Sequence, residues 1–224
     1  AMSKQILLNR GWRFHLGDAP GADFMGYDDR AWRKVTLPHD WSVEHPFDPA
    51  HASGTGYLPG GTAWYRRSFT LPDQAAGMRA RLTFGGVYKH SRVWVNSNYL
   101  GARASGYNSF SYDVSDFVRP GENVICVRVE HDEVADSRWF TGSGIYRDVT
   151  LTLSDPCSFT EHGVFVHTLS ADGTRAQVAV DYETTGGEGV RFALIDEQGR
   201  PAAETRASQA AGRAVLELDA PRLW

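Results

Sequence analysis

One short segment of the chain, 136–139, combines residue types that suit the binding of a sugar ring. It reads Asp136-Ser137-Arg138-Trp139 and lies in a predicted loop between two strands, where binding residues are commonly placed. Arg138 carries a planar fork of N–H donors that can hold vicinal hydroxyls, and Trp139 offers a flat apolar face. Asp136, Arg138 and Trp139 are therefore candidate binding residues. Two alternatives stay open: Arg138 could pair with an acid to hold the loop, and Trp139 could pack against another domain.

A second candidate is the long segment 44–61, which is rich in proline and glycine and has no strand pattern. Its length favours a functional loop or an exposed interface over a simple connector. Tyr57 is the candidate for substrate contact in this segment, with packing against another part of the protein as the alternative. His45 and His51 are interpreted as solvent-exposed side chains. The spacing of Cys and His predicts no metal site anywhere in the chain, and no cofactor is expected.

The neighbours His39 and Asp40 could suggest a catalytic pair. No serine or cysteine nucleophile motif accompanies them. We interpret the segment instead as a turn that is capped by Asp40 and followed by a buried Trp41. Four other tryptophans lie in or beside strand patterns and are predicted to be core residues, namely Trp12, Trp32, Trp64 and Trp94.

Strand patterns dominate the chain, and helical periodicity is nearly absent. The clearest strand patterns in the first part are 64–69, 81–84, 91–95, 110–114, 123–129 and 145–153. Asn residues at 96 and 98 favour a hairpin turn between 91–95 and the strand after it. Many short strands without interleaved helices predict an antiparallel β-sandwich.

A domain boundary is predicted near residues 154–156, where the composition changes. Every tryptophan except Trp224 lies before it, and the later part is richer in Ala, Glu, Thr and Gly. We therefore predict one domain over 2–155 and an immunoglobulin-like β-sandwich over 156–224. Such a sandwich usually needs about 100 residues. The second domain is accordingly expected to be truncated at its C-terminus.

The overall charge gives no reason to expect nucleic acid or a membrane as a partner. The formal net charge is -4 and no long apolar run is present. Cys126 and Cys157 are predicted to be buried free thiols. No apolar leader follows Met2, which favours a cytoplasmic protein.

Several motifs, in order along the chain, resemble glycoside hydrolase family 2, whose best-known members are β-galactosidases and β-glucuronidases. They include Leu37-Pro38-His39-Asp40-Trp41, the run Gly56 to Arg67, and Val93-Trp94-Val95-Asn96 with its hairpin. The most distinctive is Ser137-Arg138-Trp139-Phe140-Thr141-Gly142-Ser143-Gly144-Ile145-Tyr146-Arg147-Asp148-Val149, and the last is Pro221-Arg222-Leu223-Trp224. The resemblance covers essentially the whole chain.

The resemblance implies a jelly-roll (galactose-binding-like) sandwich, then an immunoglobulin-like domain, then a (β/α)₈ barrel that carries two catalytic carboxylates. The barrel is not in this sequence, so no catalytic residue is assigned here. Glu44, Glu130 and Glu133 match no catalytic motif and are taken as surface acids. In the family, the loop of Arg138 and Trp139 reaches across to the barrel and helps to form the pocket for the terminal sugar.

The chain is therefore expected to be the non-catalytic N-terminal part of a retaining glycoside hydrolase. A β-galactoside is the favoured substrate because the 137–147 segment looks more like the galactosidase branch, with glucuronate and mannose as alternatives. The expected partners are the carbohydrate and the missing barrel, and the parent enzyme could be a homo-oligomer. Two other functions stay open: a stand-alone carbohydrate-binding module, and a structural pair of sandwiches without a ligand.

Overall fold

The computed structural model describes residues 3–132, 136–186 and 189–223. It is all-β, as predicted. The strands of the first part are β1 (Ser3–Leu7), β2 (Trp12–Leu16), β3 (Arg33–Val35), β4 (Gly61–Leu71), β5 (Arg79–Phe84), β6 (Ser91–Val95), β7 (Asn98–Arg103), β8 (Phe110–Asp113), β9 (Gly121–His131) and β10 (Val149–Ser154). The second part holds β11 (Phe159–Ala171), β12 (Arg175–Thr184), β13 (Val190–Ile195), β14 (Pro201–Ala207) and β15 (Ala211–Asp219). Short 3₁₀ turns lie at Ser42–Glu44, Ser53–Thr55 and Asp73–Ala75.

The described residues form two compact units, 3–153 and 154–223. In the first unit, a sheet of order β1-β10-β5-β8 and a sheet of order β3-β2-β4-β9-β6-β7 make a sandwich. Alternation along each strand sends one set of side chains inward: in β5, Leu82 and Phe84 are fully buried while Arg81 and Thr83 are partly exposed. The jelly-roll β-sandwich predicted from the sequence is confirmed.

The centre of the six-stranded sheet is the antiparallel pair of β4 and β9. Its register runs from Gly61 opposite His131 to Leu71 opposite Gly121. The predicted hairpin after β6 is also present. Its turn residues, Asn96 and Ser97, have φ of 49° and 69°, the left-handed conformation that suits a tight hairpin.

The predicted core tryptophans occupy two different cores. Trp12 lies between the sheets and is fully buried. Trp64 is buried on the opposite, outer face of the six-stranded sheet, which the segment 17–32 covers. That segment contributes the buried Trp32 to the same cluster, and a half-buried Trp94 packs against it. The strand pattern locates these rings on a sheet but does not say which face is covered.

The second unit contains five strands among its described residues, in sheets of order β11-β12-β15 and β13-β14. Tyr182 of β12 packs against Phe192 of β13, with ring centroids 5.0 Å apart, and so joins the two sheets. A complete immunoglobulin domain has about seven strands. The predicted all-β second sandwich is confirmed, and its truncation stays a prediction.

The two cysteines differ in environment. Both are free thiols, and Cys126 is buried as predicted, but Cys157 is exposed. The burial prediction for Cys157 is wrong because this residue lies in the connection between β10 and β11, outside any strand. Glu133 and Trp224 lie outside the described residues. No helix in the described parts of the chain is long and apolar enough to cross a membrane.

Candidate functional site

Four loops meet at one end of the first sandwich, where β4 begins and β9 ends. They are the segment 36–60 before β4, the β5–β6 connection, the β7–β8 connection, and the segment after β9. Backbone hydrogen bonds tie them together, from Trp41 N to Ser143 O at 3.0 Å and from Tyr88 N to Gly144 O at 2.9 Å. The Tyr146 hydroxyl donates to Gly106 O at 2.6 Å. The segment after β9, which contains the predicted binding residues, is therefore held by three neighbouring loops.

The exposed layer of this site is aromatic and cationic. Trp139 is 60% exposed, and its indole N–H donates to the Tyr107 hydroxyl at 3.0 Å. Arg138 is exposed, and its side chain makes no hydrogen bond or ion pair with the residues that the structure describes. The alternative in which Arg138 pairs with an acid therefore has no support among those residues. An exposed indole ring thus follows, in the chain, an exposed guanidinium group that has no partner among the described residues.

Tyr57 lies in the neighbouring loop and is 47% exposed. Its backbone is held in the left-handed conformation, with φ of 60°, by hydrogen bonds to Ala52 and Asp48. A side-chain atom at Gly56 would lie 3.5 Å from the ring of Phe140, so the two loops touch next to Tyr57. The structure thus brings the Tyr57 loop and the Arg138–Trp139 loop together.

Asp136 differs from the other three candidates because its side chain is only 4% exposed. Its Oδ2 accepts a hydrogen bond from the Tyr88 hydroxyl at 2.7 Å and lies 2.9 Å from Lys89 Nζ. Burial alone would raise the pKa of Asp136, but the hydrogen bonds from Tyr88 and Lys89 outweigh it and hold the pKa below its usual value. Because its carboxylate is buried against Tyr88 and Lys89, Asp136 holds the loop in place. This geometry favours a supporting role over direct contact with a ligand.

Tyr88 completes this buried anchor. Burial, aided by the Asp136 carboxylate, raises the pKa of the Tyr88 phenol, which therefore stays protonated and donates to Asp136. The Tyr88 ring also meets Tyr107 and His131 edge to face, with centroids 5.6 and 5.0 Å apart. Tyr88 and Lys89 were not identified by sequence reasoning because neither belongs to a motif of chemical residues.

A second set of polar contacts fastens the loop on its other side. His131 Nδ1 lies 2.7 Å from Ser143 Oγ, which in turn lies 2.7 Å from Ser42 Oγ. Asp40 Oδ1 accepts from the backbone N–H of Ser143 at 2.8 Å and of Ser42 at 2.9 Å. The predicted turn capped by Asp40 is confirmed, and the same carboxylate also holds the distinctive loop.

His39 is engaged elsewhere and forms no pair with Asp40. Its Nδ1 lies 2.7 Å from the Tyr65 hydroxyl, and its Nε2 lies 3.2 Å from Glu44. Burial lowers the pKa of His39. These contacts support the interpretation of the segment as a structural turn.

Gly106 is predicted to be irreplaceable in the anchor. A Cβ at this position would lie 2.0 Å from the buried ring of Tyr88. Gly106→Ala should therefore displace Tyr88 and lower the free energy of unfolding by about 2 kcal/mol, as overpacking does in other cores. Urea unfolding followed by tryptophan fluorescence measures this, since every tryptophan but Trp224 lies in the first unit. Ala104→Ser, which adds one atom at an exposed position of the same loop, is the control; equal stabilities for the two variants would contradict the prediction.

Comparison with known proteins agrees with this architecture. The family described as glycosyl hydrolases family 2, sugar binding domain, matches residues 7–156. The chain belongs to glycosyl hydrolase family 2. A β-galactosidase of Bacteroides ovatus is 40% identical over 96% of this chain, and a putative β-glucuronidase of Formosa agariphila is 34% identical over 96%.

A solved structure of a β-glycosidase from Bacteroides vulgatus superposes with a TM-score of 0.87 at 34% identity, covering 99% of this chain. This family 2 chain covers 27% of the length of the Bacteroides ovatus protein and 22% of the length of the Formosa agariphila protein. It covers 30% of the chain in the solved structure. The match therefore concerns the sugar-binding region of family 2 proteins and the domain that follows it.

Proposed function

We propose that this chain is the non-catalytic N-terminal part of a retaining glycosidase of family 2 that acts on β-galactosides. The observation that carries the proposal is the exposed pair of Arg138 and Trp139, mounted on a buried anchor. A ring face for the sugar and N–H donors for its hydroxyls are thereby held in one place. The similarity to a β-galactosidase that is several times longer supports both the substrate and the supporting role.

In such an enzyme, the two catalytic carboxylates lie about 5 Å apart on the barrel. Arg138, Trp139 and Tyr57 would form one wall of the pocket and orient the terminal sugar against those carboxylates. Fixed donors on a rigid sandwich contribute by positioning, which lowers the entropic part of the barrier. Asp136 would contribute indirectly by keeping the loop in place.

Replacing Arg138 by Ala in the longer enzyme is expected to lower kcat/KM for a nitrophenyl β-galactoside by about tenfold or more. The thermal midpoint should not change, because Arg138 makes no stabilising contact with the described residues. Arg10→Ala removes another exposed arginine and serves as the control. Unchanged kinetics for Arg138→Ala would remove this residue from the site.

The isolated 224-residue chain offers a separate test. One wall of a pocket binds a single sugar weakly, so methyl β-galactoside should bind with a Kd in the millimolar range, about -4 kcal/mol. Calorimetric titration with methyl β-galactoside and methyl β-glucuronide measures this. Saturable micromolar binding to the isolated chain would instead favour a stand-alone carbohydrate-binding module.

A further inference from the structure

An open groove of about 300 Å³ lies beside the candidate site, on the face of the six-stranded sheet that points away from the core. The strand pattern sets this orientation: Arg92 of β6 is exposed, whereas its neighbours Ser91 and Val93 are fully buried. The floor of the groove is made by small side chains, Ala102 and Ala104. Its walls are polar and consist of His90, Arg92, Glu130 and Asp132.

The polar walls are held in place by neighbouring groups. Glu130 lies between two guanidinium groups, 2.5 Å from Arg128 and 3.4 Å from Arg92. The Asp132 carboxylate accepts a hydrogen bond from the Thr62 hydroxyl at 3.1 Å. Side chains that are already fixed lose less conformational entropy when they bind a ligand. The groove is therefore preorganised.

The charges in the groove point to a neutral ligand. Glu130 pairs with Arg92 and Arg128, and Asp132 is the second carboxylate of the lining, so two guanidinium groups balance two carboxylates. The guanidinium group of Arg103, which also lines the groove, lies over the rings of Phe110 and Tyr112. A strong preference for an anion or a cation is not expected from a cancelled set of charges. Alternating donors and acceptors instead suit a ligand whose groups both donate and accept, as hydroxyls do. A sugar unit without a charged substituent has this chemistry.

The groove is continuous along the chain with the exposed aromatic layer. Its floor residue Ala104 is followed within three residues by Tyr107, whose hydroxyl accepts from Trp139. Its wall residue His90 directly follows the Tyr88–Lys89 anchor, and His90 N donates to Ala104 O at 3.4 Å. The groove therefore adjoins the loops that carry the exposed aromatic layer.

We propose that the groove is an extension subsite, which binds a further neutral sugar unit of an oligosaccharide whose terminal unit lies on Trp139. This inference rests on the proposed function, because it needs the terminal unit to be placed there. It defines the substrate class as an oligosaccharide or polysaccharide with neutral units beyond the terminal one. A monosaccharide glycoside would leave the groove empty.

Titration of the isotope-labelled 224-residue chain by NMR separates the two sites. The indole N–H of Trp139 reports on the terminal site, and the methyl groups of Ala102 and Ala104 report on the groove. Methyl β-galactoside should shift only the Trp139 signal. β-1,4-Galactotetraose should shift all three signals and bind about fivefold more tightly, which corresponds to about 1 kcal/mol.

A variant that fills the groove sharpens the test. Ala102 is exposed, so Ala102→Tyr should be tolerated and should remove the gain in affinity for the tetraose while leaving the affinity for the methyl glycoside unchanged. Ala202→Tyr, at an exposed alanine of β14, is the matched control and should change neither affinity.

The outcomes distinguish the two proposals. If the tetraose shifts Trp139 but neither methyl group, or if Ala102→Tyr keeps the gain, the groove is not a subsite although the proposed function stands. If the methyl groups shift without Trp139, the groove is an independent site and the extension model is wrong. If none of the three signals shifts with either probe, both proposals fail.

Discussion

Replacing Arg66 by Met is expected to destabilise the first unit by about 3–5 kcal/mol, as the loss of one partner of a buried ion pair does elsewhere. Arg66 lies on the outward face of β4, yet its side chain is only 2% exposed because the segment 17–32 covers it. Its Nε donates to Asp29 Oδ2 at 3.0 Å. Methionine fills a similar volume but would leave the Asp29 carboxylate without this partner.

The remaining donors of Arg66 hold the backbone of the covering segment. They reach the carbonyl oxygens of Ala22, of Phe24 at 3.1 Å and of Met25 at 3.0 Å. A carbonyl buried without a donor costs about 1–3 kcal/mol. The segment 17–32 should therefore open in the Arg66→Met variant and expose the second core around Trp32 and Trp64.

Tryptophan fluorescence during urea unfolding, together with limited proteolysis within 17–32, measures both effects. Arg66→Lys should have an intermediate effect, because an ammonium keeps the charge but cannot span all the acceptors. The matched control is Arg30→Met in the same segment. Arg30 is 86% exposed and pairs with an exposed Asp28, so its loss should change stability far less than the loss of Arg66. If Arg66→Met and Arg30→Met show the same stability and the same proteolysis within 17–32, the role assigned to Arg66 is wrong.

Asp136→Ala is the second substitution with a large expected effect, about 3 kcal/mol on the first unit. It removes the carboxylate that accepts from Tyr88 and pairs with Lys89, whose side chain is 13% exposed. The anchor below Arg138 and Trp139 should then loosen. In the longer enzyme, the same variant should lose catalytic efficiency although Asp136 itself need not touch the sugar.

The pH dependence of stability distinguishes the charge of Asp136 from the packing of its side chain. The pKa of Asp136 is lower in the folded protein than its usual value, so its contribution to stability is complete above about pH 4, where the unfolded carboxyl is also ionised. The contribution is lost as the pH falls through the lowered, folded pKa. The stability difference between the wild type and Asp136→Asn should accordingly be constant at pH 5–7, on the order of 2 kcal/mol, and should shrink below about pH 4.

The control for this series is Asp219→Ala in the second unit. Asp219 is 86% exposed and pairs with an exposed Arg175, so its removal should change stability by less than about 1 kcal/mol. A double-mutant cycle of Asp136→Asn with Lys89→Met isolates the pair itself. A coupling energy near zero, or a stability difference that persists unchanged at pH 2.5, would contradict the assigned role of Asp136.

The fold class and the family of this protein can be inferred from local features of its sequence. An alternating strand such as β5 predicts a sandwich because a period of two leaves one face apolar. Asn96 and Asn98 predict the hairpin turn because Asn is one of the few residues that adopt the left-handed conformation readily. The distinctive segment, 137–149, is sufficient to indicate the family and to single out Arg138 and Trp139. These features are local, so the order of residues is sufficient to show them.

The contacts of each candidate residue depend instead on how distant parts of the chain pack together. Asp136 and Arg138 are two positions apart, but one is buried against Lys89 and the other is exposed, a difference set by contacts with the distant β5–β6 connection. The covered outer face around Arg66 and the groove at Ala102 likewise depend on which loop crosses which strand. Residues far apart in the chain create these environments, and the free energy of burial and pairing exists only once they meet.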